Sequence, residues 1–297
     1  DPFKGGRDLQ QKWLRPVSQS SLLDDPLRTI RAIRYAVALD LKIEPGTSAL
    51  ITRAVPQLAL VSPERKRDEV FKILSGKHVH LSLQLLKHFD VFRYIPIIIA
   101  PAFPALVTHA RALEDMIDWL CGQKNHEKQA AFYQASLLVE MGRFKQDFTR
   151  HYLTKNNSGR DRKSLLQLAA IIDQGARLEE ALRGLALSVD EIRDVCNLRK
   201  CSGAWSILLR NESPLIPIEI YRFFRTAGST GVDLAVKTLA EYSTKIGSEF
   251  SQDEWLRILS LCGTLLEAWF TKPELIYPAP LLNGDALIRE FNLESGP

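Results

Sequence analysis

Apolar residues in this 297-residue chain return every three or four positions from one end to the other, and that spacing commits it to helices. Leu106, Ala110, Leu113, Ile117 and Leu120 share one helix face, as do Leu165, Leu168, Ala169 and Ile172. Leu81, Leu85, Leu86 and Phe89 fit the same period, and Leu234, Val236, Leu239 and Tyr242 follow it loosely. No stretch alternates as a strand would, so the fold class expected is all-α. With 45% apolar residues the chain can bury cores for about two or three helical modules. Asn156-Asn157-Ser158-Gly159-Arg160 is a turn-rich break, and Ser188 followed by Glu191 reads as a capping box that opens another helix.

Several function classes drop out on composition. No apolar run reaches the ~20 residues that span a bilayer, and no signal peptide is visible. The short run from Ile95 to Pro101, bracketed by prolines, reads as a buried connector. Cys121, Cys196, Cys201 and Cys262 lack the paired spacing of a zinc site, which points to reduced, buried thiols and a cytoplasmic location. The six histidines show no metal spacing either, and His78 and His80 suit the end of a helix. No metal ligand is therefore assigned. The formal net charge is +4, and the whole of that excess falls within residues 1–75. A positive segment of this kind suits nucleotide or RNA phosphates.

Within that segment lies Asp24-Asp25-Pro26-Leu27-Arg28-Thr29-Ile30-Arg31-Ala32-Ile33-Arg34. Asp24 or Asp25 suits the N-cap of a helix and Pro26 its first turn, where the missing N–H costs nothing. Three-residue spacing puts Asp25, Arg28, Arg31 and Arg34 on one slanting polar stripe, leaving Leu23, Leu27, Ile30, Ile33 and Val37 to bury. Taken alone, such a stripe is a solvated surface helix. Its chemistry allows more. An ionised Asp25 only accepts and Arg28 only donates, so together they complement a group with a donor beside an acceptor. The Watson–Crick edges of cytosine and adenine have that pattern; those of uracil and guanine reverse it. Arg31 and Arg34 can reach a triphosphate or an RNA backbone phosphate.

The block resembles the nucleobase-selecting motif of class II tRNA nucleotidyltransferases, the CCA-adding enzymes and their bacterial poly(A) polymerase relatives. Two flanking segments agree in order. Asp1-Pro2-Phe3-Lys4-Gly5-Gly6-Arg7-Asp8-Leu9 is similar to the segment leading out of that family's catalytic palm. Ser62-Pro63-Glu64-Arg65-Lys66-Arg67-Asp68-Glu69-Val70-Phe71 resembles the Ser-x-Glu-Arg helix that closes its neck, with Lys66 in place of the usual apolar residue. Ile43-Glu44-Pro45-Gly46-Thr47 is similar to the loop between two neck helices. More weakly, Ile220 to Gly228 and Leu281 to Leu287 resemble body and tail segments of a long bacterial branch.

The resemblance implies a neck at 1–76 with the end of the palm at 1–10, a helical body at 77–187, and a body and tail at 188–297. It implies tRNA 3′-end CCA addition in the intact protein, with this chain binding the tRNA acceptor end and selecting CTP and ATP. Asp25, Arg28, Arg31 and Arg34 would form the nucleotide site. Asp8 and Arg15 would brace the palm–neck junction, and Asp24, Glu64 and Arg65 would support the neck helices through local contacts. Magnesium is implied by the family, but its ligands belong to an Asp-x-Asp pair that this sequence does not contain. No catalytic residue is assigned. The palm is expected to be lost or carried on another polypeptide, the C-terminus to be truncated, and the chain by itself to incorporate no nucleotide. The metal-dependent phosphohydrolase doublet of some long members has no counterpart, since Asp173-Gln174 stands in its place. Arg193, Arg199, Lys200 and Arg210 suit either a tRNA elbow or a solvated face. Two alternatives stay open: a non-catalytic, stand-alone RNA-binding helical module, and a poly(A) polymerase or C-only or A-only adding relative.

Overall fold

Prolines and side-chain caps mark where most of the helices begin. A computed structural model describes residues 1–3, 5–97, 102–123, 131–172, 175, 177–245, 251–279 and 290–291, the side chains of 131–134 excepted. Its N-terminal part runs α1 (Gly5–Gln10), β1 (Trp13–Leu14), α2 (Ser21–Asp24), α3 (Leu27–Ala38), β2 (Lys42–Ile43), α4 (Pro45–Ala54), a 3₁₀ turn at Val55–Leu60 and α5 (Pro63–Leu74). There follow α6 (Val79–His88), a second 3₁₀ turn at Val91–Tyr94, α7 (Phe103–Leu120), α8 (Ala131–Met141), α9 (Lys145–Leu153), α10 (Arg162–Ile171) and α11 (Leu178–Gly184). The remainder is α12 (Val189–Arg210), α13 (Pro217–Ala227), α14 (Thr230–Tyr242) and α15 (Gln252–Thr271). The all-α expectation holds. None of the described helices is long and apolar enough to cross a membrane.

The helix α3 lies on α5 and α6, while α7 packs against α6, α9, α10 and α14 at the centre of the C-terminal part. All five periodic residues of α7 are buried, as are Leu165, Leu168, Ala169 and Ile172 and the set on α14. The Ser188–Glu191 capping box is present, with the Ser188 N–H donating to Glu191 Oε2 at 2.9 Å. The four cysteines are free thiols; burial pushes Cys121 up to about 11 and Cys262 higher still.

Three details differ from the sequence reading. A two-residue parallel ladder joins Trp13 to Lys42 and Leu14 to Ile43, too short for any alternation to reveal. The face of α6 is rotated: Val79, Ser82, Leu83 and Leu86 are buried, whereas Leu81 is exposed. Its first turn is fixed from α7, where the Glu114 carboxylate accepts the N–H groups of His78 and Val79 at 2.6 and 2.9 Å. A cap supplied across 35 residues sets the rotation, and no local pattern encodes it. Finally, Pro26 precedes α3 rather than opening its first turn. Asp25 ends α2 in an extended conformation, and neither Asp24 nor Asp25 caps α3 through its side chain. Ile95 and Ile97 are buried as expected, but 98–101, Asp173-Gln174 and the 281–287 segment lie outside the described residues.

Candidate functional site

The polar face of α3 exists because its other face is committed to the core. Leu27, Ile30, Ile33 and Ala36 are each at most 3% exposed, so Arg28, Arg31 and Arg34 must turn away from them. The turn into the helix is closed by backbone: Asp25 and Pro26 carbonyls accept the N–H groups of Arg28 and Thr29, and Thr29 Oγ1 also donates to Pro26 at 2.7 Å. Alongside runs α5, started by Pro63, with Arg65 and Glu69 one turn apart and facing α3.

Glu69 is the centre of the arrangement. Its side chain is 1% exposed and accepts three donors: Arg31 Nε at 3.0 Å and Lys72 Nζ at 2.8 Å on Oε1, and Arg34 Nε at 3.3 Å on Oε2. Burial works against its charge, yet the hydrogen bonds and charges of Lys72 and Arg31 outweigh it and hold the carboxyl below its ordinary range. Each arginine gives Glu69 only its Nε. Among the described residues no protein acceptor meets the terminal nitrogens of either guanidinium, and the side chains remain 40% and 21% exposed. Two cationic forks are thus anchored at the neck of each guanidinium and open at the tip, a geometry suited to phosphate oxygens.

Asp25 and Arg28 sit one turn earlier on the same face but do not bond each other. Arg65 Nη2 donates to both Asp25 oxygens at 3.1 Å, and Arg28 Nη1 donates to the Ser21 carbonyl at 3.1 Å. Both keep unused capacity: two lone-pair directions on Asp25, and the Nε and Nη2 hydrogens of the exposed Arg28. Asp8 and Arg15 pair with each other at 3.3 Å, and Asp24 accepts Ser20 Oγ at 2.9 Å. Glu64 stands exposed in the first turn of α5 and has no ion pair among the described residues; the helix dipole favours a carboxylate there.

Glu69 and Lys72 were not singled out from sequence, and Lys66 was noted only as standing in place of an apolar residue. The signal for Glu69 was present, a carboxylate one turn beyond Arg65 beside buried Val70, but its partners lie 38 and 35 residues away. Lys66 is 7% exposed and donates to the carbonyls of Leu58 and Tyr94 at 3.3 and 3.1 Å, with burial pulling its pKa down. It ties both 3₁₀ turns to α5. The opposite side of α5 is joined to the C-terminal helices: Arg67 donates to the Ala186 carbonyl, and Arg160 lies 5.0 Å over the Phe71 ring and 3.6 Å from Asp68. Of the basic residues on α12, Arg193 pairs with Asp190 and Arg199 donates to the Gly175 carbonyl. Among the described residues no three His, Cys, Asp or Glu side chains come together as metal ligands.

Comparison with known proteins converges on one group. A family model described as the probable RNA and SrmB-binding site of polymerase A matches residues 40–100. The CC-adding tRNA nucleotidyltransferase of Geobacter sulfurreducens is 45% identical over 78 residues, which are 26% of this chain and 18% of that protein. The CCA-adding enzyme of Lactiplantibacillus plantarum is 37% identical over 98 residues, 32% of this chain and 24% of its own. The chain therefore spans less than a quarter of these relatives' length. Among solved structures, the Thermotoga maritima CCA-adding enzyme complexed with tRNA is similar over 99% of this chain and 59% of its own, with a TM-score of 0.56 and 22% identity. A CCA-adding enzyme complexed with CTP gives a TM-score of 0.56 at 23% identity. At those identities the likeness is one of fold.

Proposed function

We propose that the chain is a member of the class II CCA-adding enzyme family and supplies base selection and RNA binding for addition to the tRNA 3′ end. In this reading residues 1–76 form the neck, 77–187 the body, and 188–297 the body and tail. Asp25 and Arg28 meet the Watson–Crick edge of CTP or ATP with their unused acceptor and donor positions. UTP and GTP would set carbonyl against carboxylate and N–H against guanidinium, leaving charged groups unpaired. Arg31 and Arg34 carry phosphates on their outward nitrogens. Asp24, Glu64 and Arg65 support the helices, and Asp8 with Arg15 braces the start of the neck.

The observation that carries the reading is Glu69 holding both guanidiniums by Nε alone. The terminal nitrogens of Arg31 and Arg34 are thereby left for phosphate oxygens. No step of nucleotide transfer is assigned to the described residues, among which no three His, Cys, Asp or Glu side chains come together. The two-metal chemistry implied by the family is placed on residues other than these, and the chain alone is expected to incorporate no nucleotide. The match of an RNA-binding model to 40–100 also favours a second reading, an RNA-binding module that selects no nucleotide.

Nucleotide binding separates the two. In competition experiments the chain should prefer CTP and ATP over UTP and GTP. Arg28→Ala should erode that preference on the order of tenfold or more, because a hydrogen bond to a charged group is lost. Its effect on tRNA affinity should be smaller. Selectivity that is unchanged in Arg28→Ala, or absent from the start, removes the base-reading role and leaves the RNA-binding module.

A further inference from the structure

Tyr35 follows the arginine stripe and is not used by the reading above. It lies four residues after Arg31 and seven after Arg28, so it continues the same face of α3. A tyrosine of a core-facing helix normally buries its ring, yet this residue is 44% exposed. Its ring is not loose. The Arg34 guanidinium carbon sits 4.3 Å from the ring centroid, and Arg34 is itself tied by Nε to Glu69, whose side chain is 1% exposed. A buried carboxylate thus fixes a guanidinium, and the guanidinium covers part of an aromatic ring that otherwise faces outward.

We propose that Tyr35 is a stacking platform for an unpaired base at the single-stranded end of the RNA, with Arg34 holding the ring in place. The proposal rests on the reading of the α3 face as a nucleic-acid surface and adds to it a second base site. Cationic forks followed along one face by an exposed aromatic ring are the pattern that single-strand binding uses. Phosphates are drawn by charge, and bases stack on π-faces regardless of sequence. Spacing decides which base is meant. Seven residues of helix advance about 10 Å, so a nucleotide whose edge is read at Arg28 cannot also lie flat on Tyr35. The occupant is a different base, and the RNA supplies it. Because the ring is already fixed by Arg34, stacking sacrifices little further side-chain freedom.

The test uses the 297-residue chain with two hairpins that share one stem: one blunt, the other carrying a single-stranded 3′ tail that ends in 2-aminopurine. Wild-type protein should bind the tailed hairpin more tightly and quench its fluorescence. Tyr35→Ala should lose about tenfold in affinity for the tailed hairpin and lose the quenching, while the blunt hairpin binds as before. Tyr35→Phe should retain both, which separates stacking from any contact of the hydroxyl. Tyr35→Ala that binds and quenches as wild type overturns the proposal. So does a variant that weakens binding of free CTP or ATP and leaves the tailed RNA unchanged, since the stack would then belong to the nucleotide. If the wild-type chain binds neither hairpin, and Arg31→Ala with Arg34→Ala changes nothing, the nucleic-acid reading of the whole face falls, and this proposal with it.

Discussion

Arginine–carboxylate pairs occur in both halves of the molecule and are built differently. In the C-terminal half, Arg162 gives Nε and Nη2 to Asp233 at 2.8 and 2.6 Å, and Arg160 gives Nε and Nη2 to Glu191 at 2.6 and 2.9 Å. Those arginine side chains are only 16% and 12% exposed. Their forks are spent on the fold. On α3 and α5, Glu69 takes one nitrogen from each of two arginines, and among the described residues no protein acceptor meets their terminal nitrogens. Residue types and burial of the carboxylate are the same; what differs is which nitrogens are used. A fork consumed side-on by a carboxylate is a clamp spent on the fold, and one held at its base keeps its terminal nitrogens available to another acceptor.

The largest effect should come from breaking the clamp. Asp233 is also bonded to His151 Nε2 at 3.0 Å, and its loss would leave Arg162 charged and enclosed. Asp233→Ala should cost about 3–5 kcal/mol in urea unfolding. Glu69→Gln should cost less, about 1–2 kcal/mol, because its arginines reach water, while reducing RNA affinity more than Asp233→Ala does per folded molecule. Equal stability losses with no difference in RNA binding would erase the distinction.

Acid should sharpen the same contrast by a smaller amount. Burial opposes the charge of Glu191, but Arg160, the Ser188 N–H and Asn156 lower its pKa to about 2 from an ordinary value of 4.5. A depressed carboxylate stabilises the fold fully above its unfolded pKa. That contribution fades as pH falls from about 4.5 towards 2. Glu191→Gln should flatten stability across this window, as read by thermal unfolding; an unchanged slope would show that the clamp does not carry the acid sensitivity.

What sequence could reveal followed the range of each interaction. The helix faces of α7, α10 and α14 and the Ser188 cap depend on neighbours three or four residues apart, and all of them were legible. The rotation of α6 depends on Glu114 and the short ladder on Trp13 meeting Lys42, contacts that no local period records. The stripe from Asp25 to Arg34 was legible as a face, but its partners were not. Arg65 reaches Asp25 across 40 residues, and Glu69 reaches Arg31 across 38. Hence the arginines could be named from sequence, while the buried carboxylate that orients them appeared only in three dimensions.

The most direct test of that orientation is the salt dependence of RNA binding. If the outward nitrogens of Arg31 and Arg34 hold phosphates, Arg31→Ala and Arg34→Ala should each weaken binding to every tRNA sequence alike. Each should also lower the slope of log affinity against log salt by about one. Alanine replacements at Arg193 and Arg183, which pair locally with Asp190 and Glu179, should leave the slope near its wild-type value. A wild-type slope in both α3 variants would contradict the account, because the forks held open by Glu69 would then carry no phosphate.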